Sequence, residues 1–180
     1  MRKSATLLAG IAMIAALGCS TGATEETFSA TLNRGNEVAG GVLGTPGTYS
    51  NADGSQAATG SMTLTSNGVG VATYKLTVNG LTDITQAHIH STTAGLNSTQ
   101  SGAVAVWLFD GPATGGAAAF NGVLGCNAGV SCTSSFNQVQ IAASSSALSY
   151  DQLISNIRNK LAYVNVHTTA NGLGAIRGNF

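Results

Sequence analysis

Charge is scarce in this chain. Seven Lys and Arg and seven Asp and Glu make up 8% of 180 residues, and no basic patch or aromatic-basic run gathers them. Nucleic-acid binding therefore has no support. The acids are too scattered to give a carboxylate pair for acid–base catalysis. Within residues 27–180 no serine stands in a Gly-x-Ser-x-Gly elbow. The glycine-rich stretches carry no Lys-Ser/Thr and open no helix, so no phosphate loop is present. Beyond the N-terminus there is no second long hydrophobic run, which leaves a lipid as the only membrane link. Cysteine and histidine are rare too, at three residues each.

The N-terminus reads as an export signal. Arg2 and Lys3 precede an apolar run from Leu7 to Leu17, broken by Gly10 and too short to span a bilayer. Residues 1–18 are assigned to this signal and 19–26 to a small polar tether. Ala16-Leu17-Gly18-Cys19 resembles a bacterial lipobox, which would make Cys19 the lipidated first residue. Ala16-x-Gly18 equally suits ordinary cleavage, which would leave a free thiol. Either route places the protein in the periplasm or at the outer membrane and cell surface. Without Arg2 and Lys3 the chain has five basic and seven acidic residues, a formal balance of −2.

Cys126 and Cys132 lie close together in a glycine-rich loop. In an oxidising compartment they are expected to form a local disulfide, with a thiolate metal pair as the rival reading. So small a loop contributes about 2–3 kcal/mol by the chain-entropy relation.

Residues 27–180 read as one mainly β domain. Phe28, Ala30 and Leu32 alternate with polar residues, as do Met62 and Leu64, and Tyr74, Leu76 and Val78. Such strands suit an antiparallel sheet with one wet face. Ala103 to Phe109 is apolar on both faces and is expected to be a central strand, anchored in the core by Trp107. Asn67-Gly68, Asn79-Gly80 and Asn171-Gly172 are turn signals. Gly40 to Gly60 reads as a long loop around Pro46 and as a possible surface for protein contacts. Gly111 to Ser135 is of low complexity. One helix is expected over Tyr150 to Lys160, because Ser149 and Gln152 fit a capping box and Leu153, Ile154, Ile157 and Leu161 recur at helical spacing. Strands follow from Ala162 to His167 and from Ala175 to Phe180. The fold class is an antiparallel Greek-key β-sandwich or barrel with one short helix near the C-terminus.

All three histidines sit in strand-like segments. His88 and His90 share one strand face, with Ile89 on the other. His167 shares a face with Tyr163 and Asn165, while Val164 and Val166 take the opposite one. Three neutral imidazoles with an open fourth position suit Cu(II) or Zn(II), provided the two strands are neighbours. Alternatively the rings are structural ties, donating to carbonyls and linking Tyr163, Asn165 and Arg177, with Asp83 or Asp110 as acidic partners. Glu37 is the acid with most claim to a functional role, and otherwise reads as a surface or strand-end ion-pair partner of Arg34 or Arg177.

These residues also carry a resemblance. Phe28-x-Ala30-x-Leu32 with Asn36-Glu37-Val38 resembles the opening of a CHRD domain, the module named from chordin. Leu76-x-Val78-x-Gly80-Leu81 leading to Ala87-His88-Ile89-His90, with Ala94-Gly95 after it, resembles the middle. Leu161 to Thr168, then Gly174-Ala175-Ile176-Arg177-Gly178, resembles the end. The likeness covers 27–180. Ala39-Gly40-Gly41 stands where family members usually carry prolines, and Ala175 where an acid is common. The resemblance implies an extracellular β-sandwich comparable with copper/zinc superoxide dismutase, and a binding or structural module of the cell envelope rather than an enzyme. Its partner would be a protein or a small ligand. Dismutase chemistry is not expected, because that centre uses more histidines than this chain has, plus an aspartate.

Overall fold

The computed structural model describes residues 23–39, 42–43, 50–92, 102–109, 131–138, 141 and 148–180. The signal segment 1–18, the lipidation position Cys19, Asp110 and Cys126 lie outside these residues, so the lipidation and disulfide expectations do as well.

The described residues hold ten strands: β1 (Glu26–Asn33), β2 (Val38–Ala39), β3 (Val42–Leu43), β4 (Thr59–Ser66), β5 (Val71–Asn79), β6 (Ile84–Ser91), β7 (Ala103–Phe109), β8 (Ser131–Asn137), β9 (Ala162–Thr168) and β10 (Ile176–Asn179). Eight of them form one antiparallel sheet in the order β7-β6-β9-β10-β1-β4-β5-β8. β2 and β3 form a separate hairpin.

Strict alternation explains the half built from β1, β4 and β5. Phe28, Ala30 and Leu32 face Leu64, Met62 and Gly60 across the ladder. Met62 and Leu64 in turn oppose Leu76 and Tyr74. Apolar side chains therefore meet across the core face, with Gly60 leaving room opposite Leu32, while Ser and Thr face water. The sheet narrows between β10 and β1, where Asn33↔Arg177 is the registered pair. The backbones come close at this seam. A Cβ at Gly178 would lie 2.8 Å from the Thr31 carbonyl oxygen, so only glycine fits there. The sheet folds over at this point into a nearly closed barrel. The Tyr74 hydroxyl on β5 donates to the Leu108 carbonyl on β7 at 2.6 Å, tying the two halves across the core.

The helix, α1 (Tyr150–Arg158), begins at the predicted capping box. Ser149 Oγ accepts from the Gln152 N–H at 3.1 Å, and Gln152 Oε1 accepts from the Ser149 N–H at 2.8 Å. It buries Leu153, Ile154 and Ile157. The Tyr150 hydroxyl reaches Ser66 Oγ at 2.8 Å and the Val71 carbonyl at 2.7 Å. α1 stops two residues before the expected end. Lys160 adopts φ +59°, and the Leu161 N–H returns to the Asn156 carbonyl at 2.7 Å. That six-to-one bond is a Schellman closure, and it places Leu161 outside the helix.

Three expectations need correction. Among the described residues β7 is an edge of the sheet rather than a central strand, and Trp107 is half-buried rather than a core anchor. Both faces of β7 read as apolar because its outer face lies against the histidines described below. Ser131–Asn137, within and just beyond the low-complexity stretch, is a strand paired with β5. The 40–60 segment is not one loop. It holds β3, which pairs with β2 just before the segment, a run of turns and bends over 51–57 and the start of β4.

A buried polar knot closes the barrel near the end of β9. Asp53 is 1% exposed. Its carboxylate accepts from the Thr168 hydroxyl, from Asn171 Nδ2 at 2.7 Å and from the Ser55 N–H at 2.9 Å. Burial pushes its pKa up, but these hydrogen bonds outweigh that and hold it below the usual carboxylate range.

Candidate metal centre

β6 and β9 are neighbours. His88 opposes Asn165, His90 opposes Tyr163, and His167 opposes Gln86. On the other side of β6, His88 opposes Trp107 of β7, and beyond β9 Arg177 of β10 opposes Asn165. Strand alternation therefore sorts two faces. Ala87, Ile89, Val164, Val166 and Ile176 enter the hydrophobic core. Trp107, His88, His90, Tyr163, Asn165, His167 and Arg177 share the outer face. That face is not wet: His88 is 3% exposed, His167 7% and His90 9%.

One ring nitrogen from each of His88, His90 and His167 lies within 4.8 Å of the other two. The His88 ring is 4.4 Å from both the His90 and His167 rings, centroid to centroid. Trp107 meets His88 edge-on at 4.8 Å. Tyr163 stacks on His90 at 4.5 Å, and the Arg177 guanidinium lies 3.4 Å from the Tyr163 ring centre.

Backbone carbonyls orient two of the rings. His90 Nδ1 is 2.6 Å from the Gly102 carbonyl oxygen, and His167 Nδ1 is 3.1 Å from that of Gly172. A carbonyl only accepts, so each Nδ1 carries the proton and each Nε2 keeps a lone pair. His90 Nε2 faces Asn165 Oδ1 at 3.1 Å, two acceptors unless the amide is turned over. His167 Nε2 and His88 Nδ1 are buried with no hydrogen-bond partner. Buried lone pairs of this kind call for an explanation, and carbonyl-anchored imidazoles are the usual outer support of metal ligands.

The electrostatics keep the rings uncharged. Burial drives the His88 pKa down to about 2, with the nearby His90 and His167 adding to the effect. Burial likewise takes His90 down to about 4, opposed by its bond to Gly102. His167 is lowered for the same reason, opposed by Gly172. The folded protein thus keeps these rings neutral, the form that ligates metal. The unfolded chain protonates them near pH 6.5 and so binds more protons below that pH, which makes metal-free stability fall as pH falls. Between pH 6.5 and 5, His88 and His90 should each remove about 2 kcal/mol. Denaturant unfolding at the two pH values measures this, and an unchanged unfolding free energy would refute it.

Both strand-borne groups of histidine thus converge, which the sequence pattern allowed only if the two strands were neighbours. Tyr163, Asn165 and Arg177 join them, as expected. Asp83 does not: it sits before β6 at φ +54°, its carbonyl taken by the Thr169 N–H. Glu37 is not on the surface. It is 5% exposed, and its carboxylate lies against Gly174, where a Cβ would come within 2.5 Å. Its negative charge, together with Tyr163, supports the guanidinium of Arg177 against burial. The Gly102 and Gly172 carbonyls have no sequence signal, since any residue offers the same group. The place of Trp107 beside His88 was hidden by its apolar strand.

The family model for the CHRD domain matches residues 28–180. No curated protein and no solved structure matches the chain.

Proposed function

The chain belongs to the CHRD domain family, and on that premise we propose that it is an exported binding module of the cell envelope whose three-histidine centre holds one copper or zinc ion. The observation that carries this reading is the convergence of His88, His90 and His167 within 4.8 Å on a buried face. Two of the three rings are held through Nδ1 by carbonyls, and His167 Nε2 is buried with no hydrogen-bond partner. Burial of all three favours holding an ion over processing a substrate, so the role is proposed as non-enzymatic. Export rests on the N-terminal signal pattern, with or without a lipid on Cys19. Partners, whether a protein or a small ligand, would meet the domain outside this centre.

Elemental analysis of the exported chain after exposure to copper and zinc tests the reading. About one equivalent is expected, and none after His167→Ala. Folded wild-type protein that takes up neither metal would leave the histidines as hydrogen-bonded ties between β6, β9 and their flanking loops.

A further inference from the structure

The identity of the ion follows from the number of ligands and the charge around them. Resting on the metal reading above, we infer that this centre holds monovalent copper in preference to a divalent ion.

Among the described residues, the ligating group consists of three imidazoles, with no carboxylate or thiolate joining it. With three imidazoles Zn(II) still needs a fourth ligand, such as a water admitted to this buried face, to complete its tetrahedron, and Cu(II) favours a tetragonal set. Trp107 packs on His88, and Tyr163 on His90, so rings cover flanks of the cluster. Cu(I), with a filled d shell, is content with two or three nitrogens.

Charge points the same way. The cost of moving an ion out of water grows with the square of its charge, so a dication suffers about four times the penalty of a monocation. Neutral imidazoles offset none of that charge. Arg177 adds to the difficulty. Its guanidinium lies across the Tyr163 ring from His90, and its positive field is felt at that imidazole. Its repulsion acts twice as strongly on a dication as on a monocation. Glu37 tempers Arg177 but is not among the ligating side chains.

The test uses the whole exported chain under nitrogen. Copper(I) is supplied as its acetonitrile complex, with bicinchoninate as the competing chelator and zinc sulfate as the rival ion. One equivalent of Cu(I) is expected to stay bound against a tenfold excess of zinc, and to be lost in His88→Ala and in His90→Ala. X-ray absorption on the wild-type protein should show a low-coordinate copper edge with nitrogen neighbours only, a readout that needs no variant. Arg177→Gln should shift the affinity ratio roughly tenfold toward zinc. Displacement of Cu(I) by equimolar zinc would overturn the monovalent assignment and leave the metal centre standing. A folded wild-type chain that binds neither ion would overturn both. Cu(I) binding undiminished in a folded His90→Ala protein would also overturn both, because the ion would then lie elsewhere.

Discussion

Replacing His90 with alanine is expected to lower metal affinity by at least a hundredfold. Loss of an outer support alone typically costs 10–100-fold, and His90 is proposed as a ligand. The change also removes a structural tie. The Gly102 carbonyl loses its donor at 2.6 Å, and Tyr163 loses the ring stacked on it at 4.5 Å. A part-buried acceptor left without its donor costs about 1 kcal/mol, so the metal-free variant should melt lower than wild type. The two effects separate in one experiment. Saturation at a hundred times Kd adds about 2.7 kcal/mol to wild-type stability. For a domain of this size that raises Tm by roughly 5–10 °C. The alanine variant should show no rise with metal. His90→Gln divides the roles further, because its amide can still donate to Gly102 but is a poor ligand. It should regain most of the metal-free stability and none of the metal response. A metal-dependent rise in Tm equal to wild type in either variant would remove His90 from the centre.

Asp53→Ala should be the most damaging single change outside the hydrophobic core. Its carboxylate accepts from Thr168, Asn171 and Ser55, all buried. Asn171 keeps other partners, the Ser50 carbonyl at 2.9 Å and Ser55 Oγ at 3.3 Å. The Thr168 hydroxyl and the Ser55 N–H lose their acceptor. The expected loss is about 3 kcal/mol, or roughly 10 °C in Tm by thermal scanning. The effect should travel to the histidines. Thr168 follows His167 in β9, and Asn171 anchors the turn whose Gly172 carbonyl holds the His167 ring. Metal affinity should therefore fall about tenfold even where the variant is folded. Asp53→Asn keeps the shape but places a donor where an acceptor is needed, so it should fall between wild type and alanine. Wild-type Tm in Asp53→Ala would show that the knot contributes nothing to stability.

Periodicity made most of the architecture readable. In β1, β4 and β5 one face meets the core and the other meets solvent, so the period of two appears directly in Phe28 to Leu32, Met62 to Leu64 and Tyr74 to Val78. The capping box of α1 was legible because it is purely local. The helix end was harder, since the closure at Lys160 and Leu161 uses backbone geometry that no residue type there announces. β7 misled because a strand covered on both faces looks central wherever it lies. β8 was hidden because its pairing with β5 comes from a partner more than fifty residues away and leaves little trace in a run of Ser and Thr.

By itself, the sequence determined that His88 and His90 share a face, that His167 shares one with Tyr163 and Asn165, and that Val164 and Val166 take the opposite face. Local chain geometry fixes those relations. Only the tertiary structure decided that β6 and β9 are neighbours, in a register that sets His88 opposite Asn165 and brings His167 beside it. It alone buried that polar face, set Trp107 and Arg177 at its flanks and aimed the Gly102 and Gly172 carbonyls at two rings. Strand order and register arise from contacts between segments some eighty residues apart. The cost and reward of those contacts belong to the whole barrel, so no stretch of sequence read alone contains them.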